Sequence, residues 1–176
     1  GPQGAGALLL KDGAPYVPPM LGGGQEMGRR PGTENVAAIA GFGAAAEEAS
    51  ELASVPAMRA LRARFEVELS RLAPDAVIFG SAVERLPNTV NFAIPGLSAE
   101  TALIALDLDG VALSSGSACS SGKVKPSHVL AAMGVDEELA RCGLRLSLGW
   151  NSRDADVDGV MTSLARLIAR RRALAA

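Results

Sequence analysis

The chain has 176 residues, enough for one domain with a proper core or for one domain and part of another. Hydrophobic residues make up 48% of it and aromatic residues only 3%, so aliphatic side chains must fill most of that core. The net charge of −2 argues against a nucleic-acid-binding surface, and no apolar run approaches the roughly 18 residues of a membrane span. Two cysteines and one histidine, without metal-binding spacing, predict neither a disulfide framework nor a metal site. We therefore expect a protein of the reducing cytoplasm that uses no membrane and no metal.

The first 33 residues predict a short strand followed by a long loop. The strand is GAGALLL, residues 4–10, which ends at a Lys-Asp-Gly turn signal. Residues 14–33 contain four prolines and a run of three glycines, which favour an ordered series of turns. The core of this loop, GGGQEMGRRPGTEN, combines glycine backbone N–H groups with Arg29, Arg30 and Thr33. That composition could hold a phosphate, but a plain glycine-rich turn would share it.

From residue 34 onward, helical patterns alternate with short strand patterns. Periodicity and capping residues predict helices over residues 34–52, 57–72, 98–108, 127–133 and 154–172, with a short one from 136. Apolar or alternating runs predict strands over residues 76–79, 88–94, 111–113 and 143–148. The candidate N-caps include Thr33, Ser98 and Ser127. This order predicts an α+β fold in which helices cover one layer of sheet.

Cys119 is the first candidate for chemistry. It stands in SSGSACSSG, residues 114–122, whose small residues cannot pack a core and should leave the thiol exposed. A nucleophilic cysteine usually needs a lowered pKa or a neighbouring base, and no His or Lys stands beside it before Lys123. These residues alone therefore predict a reachable thiol, and an incidental surface cysteine would look the same.

Arg145 is the second candidate. It projects from a predicted strand, GLRLSLG, whose alternate residues are leucines, and a guanidinium in that position needs a partner. The partner could be a structural carboxylate of this chain or the carboxylate or phosphate of a ligand. Cys142, just before this strand, is expected to be a small buried hydrophobic residue.

Five segments together resemble the cysteine desulfurases of the NifS/IscS type. In chain order they are GPQGAGALLL, GGGQEMGRRPGTEN, SSGSACSSG, PSHVLAAMG and LRLSLG. The resemblance covers nearly the whole chain but only the C-terminal half of such an enzyme. It implies a class V aminotransferase of fold type I, with the last strand and cofactor loop of the large domain over residues 1–33. Residues 34–176 would form the small domain, with a short, mostly antiparallel sheet and a cysteine loop at about 114–125.

The resemblance also implies a reaction. Such enzymes, usually homodimers, use pyridoxal 5′-phosphate to convert L-cysteine to L-alanine, and they pass the sulfur to acceptor or scaffold proteins for iron–sulfur cluster biosynthesis. By this resemblance Cys119 is the nucleophile that carries the persulfide, Arg145 binds the substrate carboxylate, and Thr33 contacts the cofactor phosphate of the other subunit. A loop of about ten residues could extend over roughly 30 Å, enough for Cys119 to move between cofactor and acceptor. No direct nucleic-acid partner is implied, although an indirect role in tRNA thiolation stays open.

The same resemblance implies that a key residue is missing. The lysine that binds the cofactor is expected in a Ser-(Ser/Gly)-His-Lys segment just before GPxGxGAL, the motif whose first residue is Gly1 here. The chain alone is therefore expected to be inactive. Pro31 stands where the family commonly has Ser before Gly-Thr, which leaves the detail of this loop open. The alternatives are a cofactor-free persulfide carrier or interaction module that uses Cys119, and an inert structural domain.

Overall fold

The computed structural model describes residues 1, 3–50, 54–116 and 127–175. The chain divides into two units, Gly1–Leu52 and Ala53–Ala176, each described by itself below. The predicted boundary after residue 33 concerns the domains of a longer enzyme, and it stays a prediction.

The helix of the first unit begins at a cap different from the predicted one. Helix α1 spans Val36–Ser50, within the predicted range. The side-chain oxygen of Asn35 accepts a hydrogen bond from the Ala38 N–H at 3.1 Å. Thr33 as N-cap is therefore wrong, because the residue directly before the helix takes that role.

The predicted strand over residues 4–10 is also wrong. These residues form no strand, and the side chain of Leu9 is 95% exposed. A strand needs a hydrogen-bonded neighbour, and none of the described residues pairs with this segment. An apolar run by itself therefore did not produce a buried strand here.

The second unit is built on a four-stranded antiparallel sheet with the order β1-β2-β4-β3. Its strands are β1 (Val77–Ile78), β2 (Thr89–Ala93), β3 (Ser114–Ser115) and β4 (Gly143–Ser147). The predicted α+β class with a short antiparallel sheet is confirmed. The strand predicted over residues 111–113 is wrong, because pairing with β4 places β3 at Ser114–Ser115, directly after the predicted range.

Helices cover this sheet at nearly the predicted positions. They are α2 (Val55–Leu72), α3 (Ala99–Leu108), α4 (His128–Ala132), α5 (Glu137–Ala140) and α6 (Asp154–Ala175). Pro56 lies in the first turn of α2, where a missing N–H costs nothing, so the helix begins at Val55, two residues before the predicted start. The Ser127 hydroxyl caps α4 by accepting from the Leu130 N–H at 3.4 Å. The Ser98 side chain makes no capping hydrogen bond.

The core lies between the sheet and the long helices. Leu61, Phe65 and Leu69 form the buried face of α2, as their spacing predicts. The ring of Phe65 meets that of Phe92 on β2 edge-to-face, with centroids 5.3 Å apart. This contact fixes α2 against the middle of the sheet.

An arginine on the surface ties α2 to α6. Arg64 forms ion pairs with Asp158 and, at 2.9 Å, with Asp154, both on α6. It also pairs with Glu68 at 2.8 Å. These carboxylates, with Asp158 foremost, raise the pKa of the Arg64 guanidinium, which stays charged at any physiological pH.

Candidate functional site

The open face of the sheet carries a row of polar side chains. Successive side chains of a strand point to opposite faces, and Phe92 and Leu144 lie in the buried core. On the other face, Asn91 of β2 is paired with Arg145 of β4, and Arg145 is paired with Ser114 of β3. These three residues therefore form one row across three strands.

The end of this face near Gly143 is covered. Leu130 of α4 approaches so closely that a Cβ atom at Gly143 would lie 2.9 Å from its Cδ1. Leu130, Ala140 and Cys142 form a small buried cluster there with Ala93 and Phe79. The polar row lies beyond this cluster, with Arg145 two residues further along β4 than Gly143. Helices α4 and α5 therefore leave the residues of the row partly or fully exposed.

Backbone hydrogen bonds show how the row is arranged. The Asn91 carbonyl accepts from the Phe79 N–H at 2.9 Å, so the backbone polar groups of Asn91 point toward β1. On the side of β4, Asn91 and Arg145 are consequently a non-hydrogen-bonded pair, the kind in which Cα atoms lie about 4.5 Å apart. The backbone of Arg145 faces Ser114 instead, in a hydrogen-bonded pair with a Cα separation of about 5.5 Å.

Among the described residues, the Arg145 guanidinium has no partner and could therefore bind an anion. Its side chain is exposed, as the alternation predicts, and it makes no hydrogen bond or ion pair with any residue that the structure describes. Arg141, four residues earlier, contrasts with it, since it forms an ion pair with Glu137 at 2.6 Å. Of the two partners considered for Arg145, a structural carboxylate has no candidate among the described residues. A ligand carboxylate or phosphate fits.

Cys119 lies in residues 117–126, outside the described residues, but both ends of that segment are described. Gly116 and Ser127 are in direct contact, because a Cβ atom at position 116 would lie 2.5 Å from the Ser127 Cβ. On one side, Ser115 pairs with Leu144 of β4. On the other side, buried Ser127 caps α4. Gly116 and Ser127, the two described residues that flank this segment, therefore meet at one point beside β4.

Covalent geometry limits the reach of Cys119 from that point. Cys119 is three residues beyond Gly116, and three residues extend over at most about 11 Å. The predicted movement of Cys119 by a loop extension of roughly 30 Å concerns residues outside the described part of the chain, and it stays a prediction.

Cys142 has the structural role expected of it. It is 5% exposed, and its Sγ lies 3.5 Å from the Glu138 carbonyl oxygen, within the small apolar cluster under α4 and α5. A thiol in that position is inaccessible to a substrate.

Thr33 lies in the glycine-rich segment of the first unit. Glu26 and Met27 have left-handed backbone conformations, with φ of 51° and 56°, and Gly28 continues this turn. The Gln25 side chain braces the segment by accepting from the Gly32 N–H at 3.2 Å. Thr33 itself is exposed, and its hydroxyl makes no hydrogen bond with the described residues.

Comparison with known proteins identifies the family of the chain. A profile of the class-V aminotransferases matches residues 1–160. The chain belongs to this family. Among solved structures, it resembles a NifS-like protein from Rickettsia africae ESF-5, with a TM-score of 0.76 and 35% identity over 87% of this chain and 40% of that one. A second NifS-like protein has a TM-score of 0.78 and 31% identity over 91% of this chain and 41% of that one.

Relatives that are similar to this chain in sequence are named cysteine desulfurases. The chain is 41% identical to a cysteine desulfurase from Klebsiella pneumoniae, over 99% of this chain and 44% of the relative. It is also 41% identical to a cysteine desulfurase IscS from Clostridium botulinum, over 98% of this chain and 44% of the relative. The chain therefore spans less than half the length of these relatives. The predicted resemblance to this group is confirmed.

The sequence reasoning missed two parts of the site. Asn91 was recognised only as a polar residue of an alternating strand, and its place beside Arg145 depends on the register between β2 and β4. The contact of Gly116 with Ser127 was not expected, although Gly116 within a run of serines was a signal for a close backbone approach.

None of the described helices is long and apolar enough to cross a membrane. Within the described ranges, no three His, Cys, Asp or Glu side chains are grouped so that they could hold a metal ion.

Proposed function

We propose that this chain is part of a pyridoxal-phosphate-dependent cysteine desulfurase, which converts L-cysteine to L-alanine. The observation that carries the proposal is the Arg145 guanidinium, which has no partner among the described residues, on the strand position opposite Ser114, where the segment with Cys119 begins. An anion-binding group on β4 and a nucleophile a few residues after the neighbouring strand β3 suit a small substrate that has both a carboxylate and a sulfur atom. The names of the relatives support the same reaction.

Arg145 and Cys119 would divide the work on the substrate. The Arg145 fork binds the α-carboxylate through two parallel hydrogen bonds and so orients the amino acid. The Cys119 thiolate attacks the substrate sulfur, so that an S–S bond forms and the carbon–sulfur bond breaks. The electron pair stays on the substrate carbon, which takes up a proton to give L-alanine. Pyridoxal phosphate, when bound, supplies the electron sink for this cleavage.

Thr33 would hold the phosphate of the cofactor. An exposed hydroxyl that makes no hydrogen bond with the described residues, three residues before the N-terminus of α1, fits a phosphate group, because the helix dipole favours negative charge there. By family resemblance this phosphate belongs to the cofactor of the other subunit, so we propose a homodimer. Residues 1–33 would then belong to the cofactor-binding domain.

The persulfide on Cys119 would be delivered to an acceptor or scaffold protein, in support of iron–sulfur cluster biosynthesis. A reducing cytoplasm would keep Cys119 as a thiol between turnovers. We further propose that the 176 residues alone have no desulfurase activity, since none of the three lysines, Lys11, Lys123 and Lys125, stands in a Ser-His-Lys context.

The test uses the complete enzyme that contains this chain, supplied with pyridoxal phosphate and L-cysteine. Alanine release and the persulfide on Cys119, detected by thiol alkylation and mass spectrometry, are compared between the wild type and Cys119→Ser. We expect the variant to lose both signals and still bind the cofactor. Cys142→Ser is the matched control and should keep both, since Cys142 is buried away from solvent.

Three outcomes would contradict the proposal. Normal alanine release by Cys119→Ser would remove Cys119 as the nucleophile. Alanine release by the 176-residue chain alone would show that it needs no further lysine. If the complete enzyme never forms alanine but its Cys119 accepts sulfur from a persulfide donor, the alternative of a cofactor-free persulfide carrier is favoured.

A further inference from the structure

We propose that Asn91 is a second substrate-binding residue, whose side-chain amide donates a hydrogen bond to the carboxylate held by Arg145. This inference rests on the proposed function and deepens it. Asn91 is paired directly with Arg145, on the same open face of the sheet. Nothing in the sequence reasoning pointed to it.

The type of strand pair brings these two side chains close together. Because the Asn91 carbonyl accepts a hydrogen bond from the Phe79 N–H of the neighbouring segment, no backbone hydrogen bonds join Asn91 to Arg145. Cβ atoms in such pairs lie about 4.5–5.5 Å apart, at the short end of what a sheet allows. Ser114, the other neighbour of Arg145, forms a hydrogen-bonded pair with it, in which the Cα atoms lie further apart. The amide of Asn91 is therefore the nearer polar group.

Asparagine is an unusual choice for this position. It is depleted in strands, because its side chain competes for backbone hydrogen bonds and packs poorly. The Asn91 side chain is half-exposed and makes no hydrogen bond with the described residues. Asn88, three residues earlier, contrasts with it, because its amide donates to the Leu148 carbonyl at 3.2 Å and closes the strand end. Asn91 has no comparable structural task in the described part of the chain.

The chemistry of the amide suits a carboxylate already bound by arginine. A carboxylate has about four acceptor sites, of which a bidentate guanidinium uses two, so a second donor can bind from the side of β2. A neutral amide can donate there without repelling the guanidinium, as a lysine would, and without pairing with it, as an aspartate would. Asn91 would thus favour substrates with a free α-carboxylate.

The test compares Asn91→Ala, Asn91→Asp and the control Ser147→Ala in the complete enzyme. Ser147 lies on the same face of the sheet as Arg145, two residues further along β4, opposite Thr89. We expect Asn91→Ala to raise KM for L-cysteine roughly tenfold, the usual effect of losing a hydrogen bond to a charged group, with kcat nearly unchanged. Asn91→Asp should raise KM further, because the new carboxylate pairs with Arg145 and repels the substrate. Calorimetric Kd values for the product L-alanine should follow KM, and Ser147→Ala should change neither.

The outcomes separate this inference from the proposed function. If Asn91→Ala leaves KM and the L-alanine Kd unchanged while Arg145→Lys raises both, Asn91 is not a binding residue and the desulfurase proposal stands. A lower Tm and kcat with an unchanged KM would show a purely structural role and overturn the inference. A wild-type enzyme without cysteine desulfurase activity would overturn both proposals.

Discussion

Ser114 and Arg145 occupy directly paired positions on β3 and β4. Ser114 is five positions before Cys119 in the chain, and Arg145 carries a guanidinium without a partner among the described residues. Cys119 and Arg145, which are far apart in sequence and both matter for the proposed reaction, therefore belong to chain segments that include neighbouring strands. A slip of one residue in this pairing would turn Arg145 toward the buried face, because side chains alternate along a strand.

Replacing Arg145 by Lys should mainly weaken the binding of substrate. Lysine keeps the charge but cannot form two parallel hydrogen bonds with one carboxylate, so we expect KM for L-cysteine to rise about tenfold or more. Steady-state alanine release by the complete enzyme gives this value. Arg141→Lys is the matched control, since Arg141 forms only an exposed ion pair with Glu137. An unchanged KM in Arg145→Lys would refute a carboxylate-binding role.

A methyl group at Gly116 should disturb the base of the cysteine segment. It would lie 2.5 Å from the Ser127 Cβ and 3.2 Å from its Cα, so rigid backbone has to shift. We expect Gly116→Ala to lower the free energy of unfolding by about 1–3 kcal/mol and to slow persulfide formation on Cys119. Gly159→Ala, in α6 with open space around the new atom, should raise it by about 0.5–1 kcal/mol. Similar denaturant midpoints for the two variants would contradict this view of the contact.

Replacing Met27 by Gly should stabilise the first unit. Met27 is 90% exposed and has a left-handed backbone, so the change removes strain of about 1 kcal/mol and little packing. Met20→Gly is the control, since Met20 is not among the residues with positive φ and gains only the flexibility of glycine in the unfolded chain. Chemical denaturation followed by the NMR signals of Tyr16, in the same unit, measures both. Equal midpoints for the two variants would show that the turn is unstrained.

The edge-to-face contact of Phe65 with Phe92 should contribute beyond simple burial. Both rings are fully buried, with an interplanar angle of 62°. We expect a double-mutant cycle with Phe65→Leu and Phe92→Leu to give a coupling energy of about 0.5–1.5 kcal/mol. Urea denaturation of the four proteins supplies the values. Strictly additive losses would mean that the two rings act only through the area they bury.

The sequence by itself determined most of the helices and the family. Phe65 on the buried face of α2 and Ser127 at the cap of α4 were predictable, because helical periodicity and capping involve residues only a few positions apart. The five motifs predicted the desulfurase group for the same reason: each is a short, continuous piece of chain.

Pairing between distant segments was decided only by the tertiary structure. GAGALLL has the composition of a strand, yet a strand requires a partner that composition does not supply. The positions of Asn91 beside Arg145 and of Gly116 against Ser127 likewise depend on registers and contacts between residues far apart in sequence. Arg145 could be chosen from the sequence because it interrupts a row of leucines. Its neighbours could not, since nothing local to β2 or β4 specifies which residues of the two strands meet.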